Sequence, residues 1–387
     1  MDRPAPDYII DPDGEVLILL RNSDSPFARP LEQTATGMAP SEPCHATQSP
    51  TQVIESPETN PENSMNKETK KGLSGSLTSP DPAPIENSAT KNQIDDPVVK
   101  NSFYIQVSAK HLIFASSVFK NVLTGGWKES IEFQERGSIQ LTADSWGIEE
   151  FLIVLRAIHG KYYHIPRKLT LEALAKVSVI ADYYECKEAL YVMKDVWLNN
   201  LDEKVPATHS RHLMLWLWVS WFFRLPSQFK QSTSIAMSTS QNSINGWGLP
   251  IPKVIVLMNK RREMAINNLF LLLHETREAF LSGSRGCSST CKAIMYGTLT
   301  MQMRSSRLLP KPAAPFPNLS YEGLGGKVLS FTSPQWAVPD KLYFYKGDLT
   351  AGITNHHKCD DSSFTSLFTK KLNGCIEGLD LDGLDPA

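Results

Sequence analysis

The sequence predicts an α+β protein in which a few short strands precede a long helical stretch. Two runs rich in β-branched, aliphatic and aromatic residues, Val16-Leu17-Ile18-Leu19-Leu20 and Phe103-Tyr104-Ile105-Gln106-Val107, have the length and composition of strands. Downstream, apolar residues recur at helical spacing, most clearly Ile148, Phe151, Leu152, Leu155 and Ile158, which share one helix face. With 387 residues, 41% hydrophobic and 21% charged, the chain can bury one large or two medium cores, which excludes collagen, coiled coil and full disorder.

The first strand follows the turn-forming Asp11-Pro12-Asp13-Gly14. Residues 24–100 then carry 11 of the 26 prolines and a single aromatic, Phe27, so they cannot bury enough apolar surface to offset their ordering entropy. They are expected to form a disordered, acidic Pro/Ser/Thr-rich insertion, with Ser25-Pro26, Ser49-Pro50, Ser56-Pro57 and Ser79-Pro80 as possible substrates of proline-directed kinases. Because neither flanking strand folds alone, residues 1–23 and 101–203 are expected to belong to one domain whose strands pair across the insertion. Two short helices should follow the second strand, using Leu112, Ile113, Val118, Phe119, Val122 and Leu123 and stopping at Gly125-Gly126. A third strand is expected near Ser138 to Leu141. Helices are expected from Ser145 to His159, from the N-cap Thr170 through Tyr184, and over Glu188 to Leu201.

A helical, basic region is expected over 204–332 and a poorly defined tail over 333–387. The run Leu213 to Phe223 holds three tryptophans and two phenylalanines, so any helix there is apolar on every face and must be buried; the expected cover is a second helix, Val254 to Phe280. Lys260-Arg261-Arg262 on that helix is assigned to its solvent face. The net charge of -2 hides segregation: residues 24–100 sum to -5, residues 204–375 to +12 and the last twelve to -4. Opposite signs make contact of the insertion or tail with the basic region a working hypothesis.

The six cysteines, at 44, 186, 287, 291, 359 and 375, are too sparse and uneven for a disulfide framework, which suits a reduced intracellular setting. Cys287-x3-Cys291 with His356, His357 and Cys359 invites zinc, whose preferred ligands are thiolate and imidazole. The spacing argues against it: the two cysteines suit one helix face, and the histidines stand 65 residues further on. No metal or cofactor is therefore expected, and the thiols read as free. His274-Glu275-Thr276-Arg277-Glu278 lacks the second histidine of a zinc protease, Gly323-Leu324-Gly325-Gly326-Lys327-Val328 lacks the ends of a phosphate loop, and no G-x-S-x-G turn exists. Asp380-Leu381-Asp382-Gly383 stops short of a calcium loop. The N-terminus has no basic-then-apolar secretory pattern, and the most apolar run has about half the length of a bilayer span. Location in the nucleus or cytoplasm is expected, with no membrane partner.

The stretch from Phe103 through Ser108-Ala109-Lys110-His111-Leu112-Ile113-Phe114-Ala115-Ser116-Ser117-Val118-Phe119-Lys120-Asn121-Val122-Leu123 resembles the core signature of BTB/POZ domains, a strand followed by His-x-x-x-Leu/Phe-Ala-x-Ser-x-x-Phe and a second helix. Gly125-Gly126-Trp127-Lys128-Glu129-Ser130, Ile158-His159-Gly160-Lys161 and Ala181-Asp182-Tyr183-Tyr184-Glu185-Cys186 are similar to the forms seen in fungal BTB proteins, as are Trp216 to Phe223 and Gly286 to Cys291. About three quarters of the chain is covered. The resemblance implies a small sheet packed on a cluster of helices that binds other proteins and is not an enzyme. It implies a homodimer, a corepressor-recruiting transcriptional cofactor, or an adaptor for a cullin-type ubiquitin ligase. Lys110, His111 and Phe119 on the signature helices, and Trp127, Lys128 and Glu129 after the Gly-Gly break, are the candidate protein-binding residues. Nucleic-acid binding through the basic region 204–375 is the competing reading, although no recognition helix or stacking platform is identifiable there.

Overall fold

Strand pairing across residues 24–100 organises the N-terminal part of the chain. The computed structural model describes residues 4–23, 25–29, 101–334, 338–339, 353–354, 357 and 359–384. Strand β2 (Val16–Arg21) lies antiparallel to β3 (Ser102–Val107) over its full length, from Val16 opposite Val107 to Arg21 opposite Ser102. A two-residue β1 (Tyr8–Ile9) adds to β3 in parallel, and β4 (Ile139–Asp144) adds in parallel to β2, giving the order β1-β3-β2-β4. The central place of β2 explains its unbroken apolar run, with Val16, Leu17, Ile18 and Leu20 all buried. Edge strand β4 instead alternates, burying Ile139, Leu141 and Ala143 and exposing the residues between them.

Helices α1 (Ala109–Ala115) and α2 (Ser117–Thr124) follow β3 as expected, and the Ser116 hydroxyl caps α2 by accepting from the Phe119 N–H at 3.1 Å. An unanticipated helix, α3 (Lys128–Arg136), comes next and closes on Gly137 in the left-handed region, φ 68°. Its sequence carries only Ile131 and Phe133 as large apolar residues, too few for a visible stripe. Then come α4 (Ile148–Ile158), α5 (Leu171–Tyr183) capped by Thr170 as expected, and α6 (Tyr191–Asn199) after a 3-10 turn.

Helix α7 (Arg211–Phe222) is buried on all sides. Its main cover differs from expectation: α7 packs on α5 and on α8 (Pro226–Thr239), not chiefly on α9 (Pro252–Ser282). The Trp218 indole N–H donates to Ser178 Oγ on α5 at 2.7 Å, and Trp221 meets Phe229 on α8 with ring centres 5.6 Å apart. Arg211 donates to the Phe27 and Ala28 carbonyls and to Glu172 on α5. The described residues on both sides of position 203/204 form one compact unit. The insertion 24–100 lies outside the described residues apart from Ser25–Arg29.

One further expectation is corrected. Arg262 does not face solvent with Lys260 and Arg261; it is fully buried, because residues 240–242 and 315–319 close over that face of α9. After α9 come α10 (Ser289–Ser305), α11 (Tyr321–Leu329), a two-residue pair β5 (Val338–Pro339) and β6 (Ile353–Thr354), and α12 (Phe364–Thr369). Phe364, Phe368, Ile376, Leu379 and Leu381 are buried, and residues 376–384 lie along α8. Among the described residues, no helix is long and apolar enough to cross a membrane.

Candidate functional site

The signature helices divide their residues between core and surface. Leu112 is buried under α1, and Phe114, two residues on and about 200° around the helix, is 94% exposed. Lys110 and His111 are exposed as well. Trp127, the residue before α3, is 58% exposed, and Lys128, Glu129 and Ile131 beside it also face solvent. Phe119 is corrected: it is only 5% exposed and stacks on Tyr184 at 4.5 Å with planes 6° apart, so it holds α2 to the end of α5 and offers no contact to a partner. Phe114 was missed by sequence reasoning. The available signal was the run Leu112-Ile113-Phe114, because a single-faced helix cannot bury three consecutive apolar residues.

His111 also makes a contact within the domain, stacking on His159 at 4.9 Å. His159 is buried; its Nε2 accepts from the Ser108 N–H at 3.0 Å while Nδ1 donates to the Leu155 carbonyl at 2.7 Å. That pair of bonds requires the neutral ring. Burial pushes its pKa below the ordinary 6.5 and nearby His111 and Lys161 act the same way, against the Leu155 carbonyl and Asp11. The unfolded chain therefore binds this proton more readily than the folded one. Stability is full above about pH 6.5 and falls as the pH drops toward the folded-state pKa, with a slope of up to about 1.4 kcal/mol per pH unit for one such proton. Urea unfolding at pH 7.5, 6.5 and 5.5 is expected to show this loss, and His159→Gln, which keeps one acceptor and one donor, is expected to shrink it.

The fold also gathers residues that the sequence holds apart. Cys287, Cys291, His357 and Cys359 place one ligand atom each within 4.8 Å of one another, and Cys287 Sγ is 3.3 Å from His357 Nε2. One of the two grounds for expecting no metal ligands was chain separation, and the return of His357 and Cys359 to the start of α10 removes it. His356 lies outside the described residues. Ser288 caps α10 through the Cys291 N–H at 3.2 Å, which sets the turn between the two cysteines. Burial pushes the Cys291 thiol up to about 11, and the Cys287 and Cys359 thiols add to the rise while the Cys287 backbone N–H opposes it. Cys186, by contrast, is buried away from this group. The cysteines described are all free thiols.

Comparison with protein-family models, with curated proteins and with solved structures finds no match to this chain.

Proposed function

We propose that this chain is a non-catalytic protein-interaction protein built on a BTB/POZ-like domain, acting in the nucleus or cytoplasm by self-association or by recruiting a partner. The signature residues support the reading, and the observation that carries it is Phe114, 94% exposed on α1 beside Lys110 and His111. A phenylalanine held in water on a helix whose Ala109 and Leu112 are buried is the kind of anchor an interface uses. A corepressor or a cullin-type ligase component is the recruited partner this reading favours. The competing nucleic-acid reading draws less support. Of the cations in the basic region, Arg262 is buried, and Arg211, Lys230 and Arg285 are paired with carboxylates of the chain itself.

Multi-angle light scattering on the full chain over a range of concentrations tests the self-associating form. A homodimer is expected, with Phe114→Asp weakening it by about tenfold or more, the size of a typical interface anchor. Trp127→Ala is expected to leave the dimer intact if that residue serves a different partner. A wild-type chain that stays monomeric at every concentration, and binds no purified corepressor or cullin fragment, would sink the proposal.

A further inference from the structure

Independently of that reading, we propose that Cys287, Cys291, His357 and Cys359 form a structural zinc site of three thiolates and one imidazole, which staples the tail to the start of α10. The donor set is the first argument. Sulfur and imidazole nitrogen prefer zinc over the hard cations that take oxygen ligands, and four protein ligands close a tetrahedral site without leaving a position for substrate. Distance is the second. Zinc bonds of about 2.3 Å to sulfur and 2.0–2.1 Å to nitrogen set neighbouring ligand atoms roughly 3.5 to 3.8 Å apart. The observed 3.3 Å between Cys287 Sγ and His357 Nε2, and the 4.8 Å limit on all pairs, bracket those values, so side-chain rotation of less than a bond length completes the shell.

The surroundings hold the four residues together. Asp361 accepts from Arg285 at 2.7 Å and from the Gly286 N–H at 2.9 Å, which clamps the segment after Cys359 to the segment before Cys287. The Cys359 carbonyl accepts from the Ser362 N–H at 3.0 Å, turning the chain directly after that ligand. Gly286 has φ +89°, and a Cβ there would come within 2.9 Å of Lys292 and 3.5 Å of Cys291 Sγ. The loop between α9 and α10 thus passes close to Lys292 and in van der Waals reach of the Cys291 sulfur. On binding, the three thiols give up their protons to solvent, the imidazole supplies a lone pair, and no electron changes hands. The ion would hold His357 and Cys359 in place, and with them the approach to α12.

The full chain, prepared under reducing conditions without chelator, should contain zinc near one per chain by elemental mass spectrometry. Cobalt exchanged into it should give the intense visible bands of a tetrahedral ion and a sulfur-to-cobalt charge-transfer band. His357→Ala and Cys359→Ser, at half-buried positions, are expected to weaken zinc binding by at least about tenfold; Cys375→Ser, exposed and outside the cluster, should change neither reading. A wild-type chain that carries no zinc and takes none up on titration would overturn the proposal. So would an octahedral cobalt spectrum, binding that survives both ligand substitutions, or a Cys287–Cys291 disulfide under reducing conditions. Should a ligand variant fail to fold, the wild-type stoichiometry and cobalt spectrum still decide the matter.

Discussion

Arg262→Met is expected to lower the stability of the chain by about 4 kcal/mol, a large share of the roughly 5–15 kcal/mol of a typical domain. The guanidinium is fully buried and donates to five backbone carbonyls: Ser240 at 3.2 Å, Pro315 at 2.8 Å, Gln241 at 3.1 Å, Phe316 at 3.2 Å and Leu319 at 2.7 Å. No ion pair to a carboxylate is seen for it among the described residues. Carbonyl dipoles surround the charge, and burial pulls its pKa below the usual arginine value while the charge of Glu263 acts the other way. Those five carbonyls belong to the segment leaving α8 and the segment entering α11, so one side chain on α9 bolts two loops together. Methionine fills a similar volume but leaves acceptors without donors, and an unsatisfied buried acceptor costs about 1–3 kcal/mol. Arg262→Lys should fall between the two, since an ammonium has three donors from one atom and cannot span the same fork. Urea unfolding monitored by tryptophan fluorescence gives the ranking. A methionine variant within about 1 kcal/mol of wild type would show that water takes over these bonds.

The same residue marks where sequence reading stopped. Lys260-Arg261-Arg262 reads as a solvated basic cluster, and for Lys260 and Arg261 that is how the chain folds. Nothing local announces that two loops some 20 and 55 residues away close over the third side chain. Elements carried by their own periodicity were legible: β2 against β3, α4 on its apolar face, α5 behind its Thr170 cap, α9 ending at Gly283. Helix α8 was not, because six of its fourteen residues are Ser or Thr, which compete with the helix for its own backbone bonds and read as loop. The cysteine and histidine group was visible as residue types but not as a place. A spacing rule sees only ligands supplied by one local segment, whereas here the chain leaves at Cys291 and returns at His357. Motif membership could not separate Phe119, which faces the core, from Phe114, which does not.

Gly378→Ala is expected to detach the tail from α8 and to cost about 2–4 kcal/mol, the range of an overpacked buried site together with the contacts it disrupts. A Cβ at this buried glycine would lie 1.9 Å from the Lys230 carbonyl oxygen and 2.7 Å from its carbon, and backbone of a helix cannot move aside. The tail uses that closeness. The Ile376 N–H donates to Ser238 Oγ and the Leu379 N–H to Thr233 Oγ1, each at 2.8 Å, while Ser234 Oγ donates to the Ile376 carbonyl at 2.6 Å. The hydroxyls that obscure α8 in the sequence are the groups that bind the tail backbone. Arg224 donates to the Leu381 and Leu384 carbonyls, and Ile376, Leu379 and Leu381 are buried. Opposite charge alone would give a different attachment. Lys230 does pair with Glu377 at 3.2 Å and Asp380 at 2.9 Å, but all three side chains are well exposed and salt screens such pairs. Lys230→Ala and high salt should therefore leave the tail in place, whereas Gly378→Ala should release it. Hydrogen exchange of residues 376–384 and of α8 distinguishes the two variants. If Lys230→Ala or salt alone frees the tail, charge rather than backbone bonding and apolar burial holds it down.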